Sequence, residues 1–318
     1  MSFSRGMLIS GLLGIAGCNS CVRDSPVVRR DSTNRPLHQE EERNTLDKVL
    51  VIGVDGMRPD ALQKAATPNI DTLIAEGAYS FGTRTGKYTV SGPGWSNILT
   101  GVWEEKHGVK DNSFKGANYG LYPTFFTRVE DFKPDSNTQV IASLDWFEKW
   151  MLPKADERIY HPFDQEGDKR VAKTGSQLLS QQNVDLMFVY FMGVDEAGHG
   201  YGFDPAVPQY ITEIEKVDEY VGILIDAMKR RPEYNQERWL TILTSDHGGK
   251  GKEHGGVGEE AMKVPLIMHG PAVQKGELVP VPRQVDIAPT VLTYFGIPIR
   301  SEWGLDGKVI GLKEKDRN

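Results

Sequence analysis

The sequence predicts an α/β fold with a mainly parallel central sheet flanked by helices on both faces, and an insertion near the active site. Two observations carry this. Four short apolar runs, 48–54 (KVLVIGV), 185–192 (DLMFVYFM), 239–244 (WLTILT) and 264–268 (VPLIM), show the continuous hydrophobicity of strands covered on both faces. Segments of helical spacing lie between them, and strand–helix alternation is the mark of a parallel sheet. A chain of 318 residues suits one large domain, or a domain with a sizeable insertion.

In chain order, the first element is a targeting signal. Arg5 supplies a positive start, and residues 7–16 (MLISGLLGIA) form an apolar run too short to span a bilayer. The run ends in Ile15-Ala16-Gly17-Cys18, which is similar to a bacterial lipobox. The expectation is a lipoprotein signal peptide over 1–17, acylation of Cys18 and export across the inner membrane. Asn19 after the cysteine favours the outer membrane, so the domain is expected as a lipid-anchored periplasmic protein. An ordinary signal peptide is the plainer reading. Cys18 and Cys21 are the only cysteines, so no disulfide framework holds the fold if Cys18 is acylated. Residues 18–45 are polar and charged without periodicity and read as a flexible tether; residues 46–318 read as the folded domain.

Within that domain, the run 48–54 ends in Asp55-Gly56. Thr67-Pro68 opens a helix, with Thr67 as N-cap and Ile70, Leu73 and Ile74 on one face, and Gly77 stops it. A further apolar run covers 139–143. Residues 210–228 have helical spacing through Ile211, Ile214, Val217, Val221 and Leu224. The aromatic, charged stretch 116–168 reads as an insertion that caps the site or as a plain surface excursion.

Net charge is −7, so no broad basic surface offers itself to nucleic acid or an anionic membrane. The one membrane contact expected is the lipid on Cys18. A phosphate substrate would need local positive charge, which makes metal plausible. Acidic and imidazole groups follow three apolar runs: Asp55, then Asp195 and His199 in a glycine-rich loop, then Asp246 and His247, with His254 shortly after. Carboxylate oxygen and imidazole nitrogen are zinc ligands of hydrolytic sites, and open parallel sheets place sites beyond their carboxyl ends. Each element alone has a bland reading as a turn; together they suggest two metals that clamp an in-line displacement. Ser91, in Val90-Ser91-Gly92-Pro93-Gly94-Trp95-Ser96, stands where a helix can start, where amides and dipole favour an alkoxide and a phosphate. Its bland reading is an N-cap. Ser96 would lie inside the helix.

Taken in order, these pieces resemble the alkaline phosphatase superfamily, and within it the type I phosphodiesterase/nucleotide pyrophosphatase branch. The matching pieces are Val-Ile-Gly-Val-Asp55-Gly-Met-Arg, Thr-Pro-Asn-Ile, Ser91 followed by Leu99-Thr-Gly, and His107-Gly-Val-Lys-Asp-Asn112. Asp195-Glu-Ala-Gly-His199-Gly-Tyr-Gly, Ser-Asp246-His247-Gly and Val285-Asp-Ile-Ala-Pro-Thr-Val-Leu complete the series. The resemblance implies two Zn²⁺ ions, with other divalent ions possible. Asp55, Ser91, Asp246 and His247 would hold one; Asp195, His199 and His254 would hold the other. It implies Ser91 as nucleophile, Asn112 as holder of a phosphate oxygen, and Gly92 as a source of substrate-binding amide. His107 matches a structural His-Gly. His269 is a lesser candidate ligand than His254, and His38 and His161 match no role.

The sequence departs from the family in having Ser rather than Thr as nucleophile, and Gly94-Trp95 after the proline. The expected activity is hydrolysis of a small phosphoester, a phosphodiester or nucleotide pyrophosphate, through a phospho-Ser91 intermediate. A phosphomonoesterase and a sulfatase of the same fold stay open, although the sulfatase modification motif calls for Arg where Trp95 stands. So does a non-catalytic lipoprotein that binds a phosphorylated ligand.

Overall fold

The structure, a computed structural model, describes residues 47–314 and the backbone of residues 27–30. The signal peptide expected over 1–17, Cys18 with its lipid, and His38 lie outside the described residues. Most of the stretch read as a tether does too, but Val27–Arg30 within it form a strand at the sheet edge.

Nine strands build one sheet: β1 Val27–Arg30, β2 Asp47–Val54, β3 Ala78–Arg84, β4 Thr138–Ala142, β5 Glu157–Tyr160, β6 Leu186–Phe191, β7 Arg238–Thr244, β8 Lys263–His269 and β9 Gly276–Glu277. Their order is β1-β5-β4-β6-β2-β7-β8-β3-β9. The five central strands β5, β4, β6, β2 and β7 run parallel, and β8 is antiparallel to β7. Among the described residues, ten α-helices accompany them: α1 Pro59–Leu62, α2 Pro68–Glu76, α3 Ser91–Thr100, α4 Glu104–His107, α5 Phe125–Phe132, α6 Gly167–Gln181, α7 Gly193–Tyr201, α8 Pro208–Lys229, α9 Glu259–Met262 and α10 Ile287–Tyr294.

The unbroken apolar runs are explained by a core on each face. Val49 and Val51 of β2 face Trp95, Ile98 and Leu99 of α3, with α5 and α10 behind. Leu50, Ile52 and Val54 face the other way, onto Ile70 and Leu73 of α2, Val171 of α6, and Ile214, Val217 and Val221 of α8. Each fully buried aliphatic side chain contributes roughly 1.5–3 kcal/mol. Two such layers make the strands a rigid base for the loops beyond them.

Three expectations need correction. Thr67 does not cap α2 with its side chain: its hydroxyl donates to Asp71, and Asp218 of α8 accepts the amides of Asn69 and Ile70 instead. A tertiary carboxylate has displaced the local cap. The glycine-rich segment around Asp195 is not a loop but the helix α7. The stretch 116–168 is not an excursion from the sheet, because it supplies β4, buried throughout, and β5, in which Ile159 is buried.

Among neighbouring strands, β6, β2 and β7 are consecutive. Adjacent strands lie about 4.8 Å apart, so residues just past their carboxyl ends meet without long loops. α3 packs close beneath this point. A Cβ on Gly53 would lie 2.5 Å from Cη2 of Trp95. Gly53→Val should therefore destabilise the fold by about 1–3 kcal/mol through overpacking, read as a lowered urea midpoint. An unchanged midpoint would mean that the indole can yield.

Candidate metal centre

Asp55 follows β2, Asp195 opens α7 just after β6, and Asp246 and His247 follow β7. These are the three consecutive strands, and the groups converge as their order requires. His247 Nε2 lies 3.4 Å from Asp55 Oδ1 and 3.3 Å from Asp246 Oδ2. His254 Nε2 lies 3.8 Å from Asp195 Oδ1 and 3.0 Å from His199 Nε2, which is 3.4 Å from Asp195 Oδ2. Asp55, Asp246 and His247 form one group whose ligand atoms lie within 4.8 Å of each other; Asp195, His247 and His254 form a second. Ser91 Oγ stands 3.4 Å from His247 Nε2, at the first turn of α3.

The carboxylates fit cations closely. In all three, one oxygen is buried with no hydrogen-bond partner, and in Asp55 and Asp246 the protein holds the other. Asp55 Oδ2 accepts from Trp95 Nε1 at 3.3 Å and from the Tyr190 hydroxyl, while Oδ1 has none. Asp246 Oδ1 accepts from the amide of Gly56 at 3.2 Å, while Oδ2 has none. Asp195 Oδ1 is likewise unpartnered. Buried unpaired oxygens are rare because each costs its full desolvation. Three aimed into one cluster indicate positive charge that belongs there.

The imidazoles are oriented the same way. Nδ1 of His247, His254 and His199 each lies 2.9 Å from a backbone carbonyl, of Gly248, Thr89 and Lys252 respectively. An Nδ1–H donated to a carbonyl leaves Nε2 bare, the tautomer a metal ligand needs. Two bare Nε2 atoms 3.0 Å apart would repel, so a cation or a proton belongs between His199 and His254.

Protons are the competitor. Burial, with Asp195 beside it, raises Asp55 to about 6, and burial with Asp55 and Asp195 nearby holds Asp246 well above the carboxylate range. The hydrogen bond to Asp195 raises His199 to about 9. Burial pushes Asp195 up, but that hydrogen bond and the charges of His247 and His254 outweigh it and leave the carboxyl below its usual value. Bound cations would replace these protons and offset the negative charge of the three carboxylates.

Asn112 and Gly92 interact differently from expectation. The amide of Gly92 donates to Asn112 Oδ1 at 2.8 Å, so it is not free for substrate. An N–H donor can be met only by the side-chain oxygen, which leaves Asn112 Nδ2 as the remaining donor. Among the described histidines, His269 lies at the far end of β8 opposite Thr241, beside Glu76, and not in the cluster. His161 bonds Thr174. His107 is fully buried, its Nε2 2.9 Å from Asn97 Oδ1; burial lowers it to about 4, as suits a structural neutral ring.

Two glycines permit the close approach. Gly56 has φ +67°, and a Cβ there would lie 2.6 Å from Asp195 Oδ1. A Cβ on Gly94 would lie 2.7 Å from the carbonyl of Asp246. Sequence reasoning missed Tyr190 and Trp95 as partners of Asp55. The available signal was the tyrosine within a run buried on both faces, since a buried hydroxyl needs a partner.

A profile of the family described as Type I phosphodiesterase / nucleotide pyrophosphatase matches residues 49–135 and 116–255, more than half of the chain. Ectonucleotide pyrophosphatase/phosphodiesterase family member 7 of Rattus norvegicus is 25% identical over 236 residues, 68% of this chain and 52% of that protein. Member 5 of Homo sapiens is 27% identical over 219 residues, 63% and 44% of the two chains. The chain spans about half the length of the curated relatives it matches. Among solved structures, murine ectonucleotide pyrophosphatase/phosphodiesterase 5 superposes with TM-score 0.61 at 16% identity, covering 79% of this chain and 96% of that one. A 2-O GAG sulfatase superposes with TM-score 0.69 at 14% identity, covering 83% and 73%. These structural likenesses show the alkaline-phosphatase-like fold.

The geometry makes two outcomes testable. Tyr190→Phe removes one of the two donors to Asp55 and should weaken cation binding about 10–100-fold, as loss of an outer partner does; equilibrium dialysis reads it, and wild-type affinity would remove Tyr190 from that role. Because Asp55 and His199 hold protons that a cation must displace, the gain in thermal midpoint on adding Zn²⁺ should grow from pH 5.5 to pH 8. A gain independent of pH would show that no ligand proton is displaced.

Proposed function

Because the chain belongs to the type I phosphodiesterase/nucleotide pyrophosphatase family, we propose that it hydrolyses small phosphoesters, phosphodiesters or nucleotide pyrophosphates, with Ser91 as nucleophile. The observation that supports this most is the set of three unpartnered carboxylate oxygens facing bare imidazole nitrogens, with the Ser91 hydroxyl at its edge. We propose two divalent cations, zinc by the character of the ligands: one among Asp55, Ser91, Asp246 and His247, the other among Asp195, His199 and His254. Bound there, they would supply Lewis acidity that makes the serine hydroxyl and a water more acidic and stabilises charge on the leaving oxygen.

The chain's own residues supply the rest. Ser91 gives up its hydroxyl proton to solvent and its Oγ attacks phosphorus in line; an Oγ–P bond forms as the bond to the leaving oxygen breaks, and that oxygen takes a proton from solvent. Its place in the first turn of α3 sets the helix dipole against the incoming negative charge. Asn112, its Oδ1 held by the Gly92 amide, donates through Nδ2 to a non-bridging oxygen, where charge builds in the transition state. Water then attacks phosphorus from the opposite side and loses a proton; the Oγ–P bond breaks, the phosphate product leaves, and Oγ takes up a proton to restore Ser91.

The name of the relatives supports a nucleotide or other diester substrate, and an inactive form of murine ectonucleotide pyrophosphatase/phosphodiesterase 5 was solved in complex with AMP. We place the domain, by its first 18 residues, as a lipid-anchored periplasmic protein of the outer membrane. Among the described residues, no helix is long and apolar enough to cross a membrane. The attachment we propose rests on the lipobox-like residues 15–18 and is the lipid on Cys18.

Ser91→Ala should abolish turnover of aryl phosphodiesters while leaving the fold and most cation binding intact. Near-normal rate in that variant would remove Ser91 from the role. On zinc-loaded protein, a panel of diesters, nucleotides, monoesters and sulfate esters should show diesters or nucleotides turned over fastest. Preference for sulfate esters would favour the sulfatase reading, and bound zinc with no turnover would favour a binding protein.

A further inference from the structure

α7 carries Asp195 at its third position and His199 one turn later, and its own sequence gives it little support. Three of its nine residues, Gly193, Gly198 and Gly200, are glycine, the poorest helix former after proline. Met192, which precedes it, provides no side-chain cap. The helix start is held from outside, by Asp168 in the first turn of α6. Asp168 Oδ2 accepts the amide of Gly193 at 2.7 Å; Oδ1 accepts the amide of Met192 at 3.1 Å and the hydroxyl of Ser143 at 3.1 Å. Ser143 follows β4 and Met192 follows β6, so one carboxylate ties two strand ends to the start of the helix.

The side chain is buried, with the residue 7% exposed. Burial raises it to about 6, so it is ionised at neutral pH and accepts all three donors. The fit is close on the helix side: a Cβ on Gly193 would lie 2.9 Å from Asp168 Oδ2. The carboxylate touches neither Asp195 nor His199. It fixes the amides two and three residues before Asp195, and with them the direction in which the two ligands leave the helix.

We infer that Asp168 is a positioning residue for the Asp195–His199 pair, setting the geometry of one cation site and not the other. The inference rests on reading those residues as cation ligands. A merely structural cap would lower stability and affect both sites alike. A positioning role predicts a selective loss.

The test uses D168N, which removes the charge at nearly constant volume, and G193A, which pushes the carboxylate away without changing charge. Zinc bound per chain is measured by equilibrium dialysis across a range of free Zn²⁺, with circular dichroism of the cation-free proteins as the check on folding. Wild type should bind two ions. D168N should keep one with unchanged affinity and bind the other about 10–100-fold more weakly, and G193A should shift in the same direction. Two ions bound with wild-type affinity, or both weakened equally, would assign Asp168 to the fold alone. If D168N does not fold, G193A decides by the same criterion, and failure of both to fold would likewise overturn the positioning role. A wild-type chain that binds no zinc would instead sink the metal centre on which the inference rests.

Discussion

Three carboxylates share one buried volume, and each turns toward it an oxygen that no protein donor meets. That arrangement constrains the rest of the molecule. Burying isolated ionised groups is costly unless they are paired or bound to metal. Asp55 and Asp246 show the cost directly, because both hold their protons far more tightly than a solvated carboxyl. The surrounding features supply what such a cluster needs. Gly56 and Gly94 let backbone and side chain approach within contact distance. Three backbone carbonyls fix three imidazoles with Nε2 facing inward. The protein holds the acceptors in place and leaves the positive charge to be supplied.

Much of this was legible in the sequence because the sheet is covered on both faces. Such strands need uninterrupted apolar runs, and the polar residues that end them stand out: Asp55 after KVLVIGV and Asp246 after WLTILT. The layered α/β architecture follows from the same runs. The order of the strands was not legible, since nothing local tells β2 that it lies between β6 and β7. The form of α7 was hidden for a related reason. Its glycines argue for a loop, and the carboxylate that accepts its first amide, Asp168, is 25 residues from Gly193. The cap of α2 failed likewise, because Asp218 is contributed by α8. Gly92 was misjudged because a free helix-start amide is the ordinary expectation, whereas here a loop residue, Asn112, reaches across to accept it.

The fold is shared by phosphoester hydrolases and sulfatases, so the architecture alone does not choose between them. Trp95 bears on the choice. It occupies the position where the sulfatase modification motif calls for arginine, and its ring lies fully buried among Phe147, Phe188 and Tyr190, with centroids 5.5–6.0 Å away. Its indole N–H meets Asp55. An arginine could not fill that apolar space without burying a charge. The residue that departs from the sulfatase pattern is therefore part of the framework that orients a proposed ligand.

A further layer ties the loops to one another rather than to the sheet. Arg58 donates through Nη1 to the carbonyls of Phe203 and Gly249, at 2.6 and 3.2 Å, and so joins the end of α7 to the loop that carries Asp246 and His247. Tyr210 accepts the amide of Arg58 and donates to the carbonyl of Gly56. Gln284 donates to the carbonyls of Asp246 and Ser245. All of these bonds end on backbone atoms of ligand-bearing segments. The separation between the two ligand groups is thus set mainly by how the main chain is clamped, and the ligand side chains extend it by only a few bonds. A centre built this way can keep its spacing while residues at its rim change.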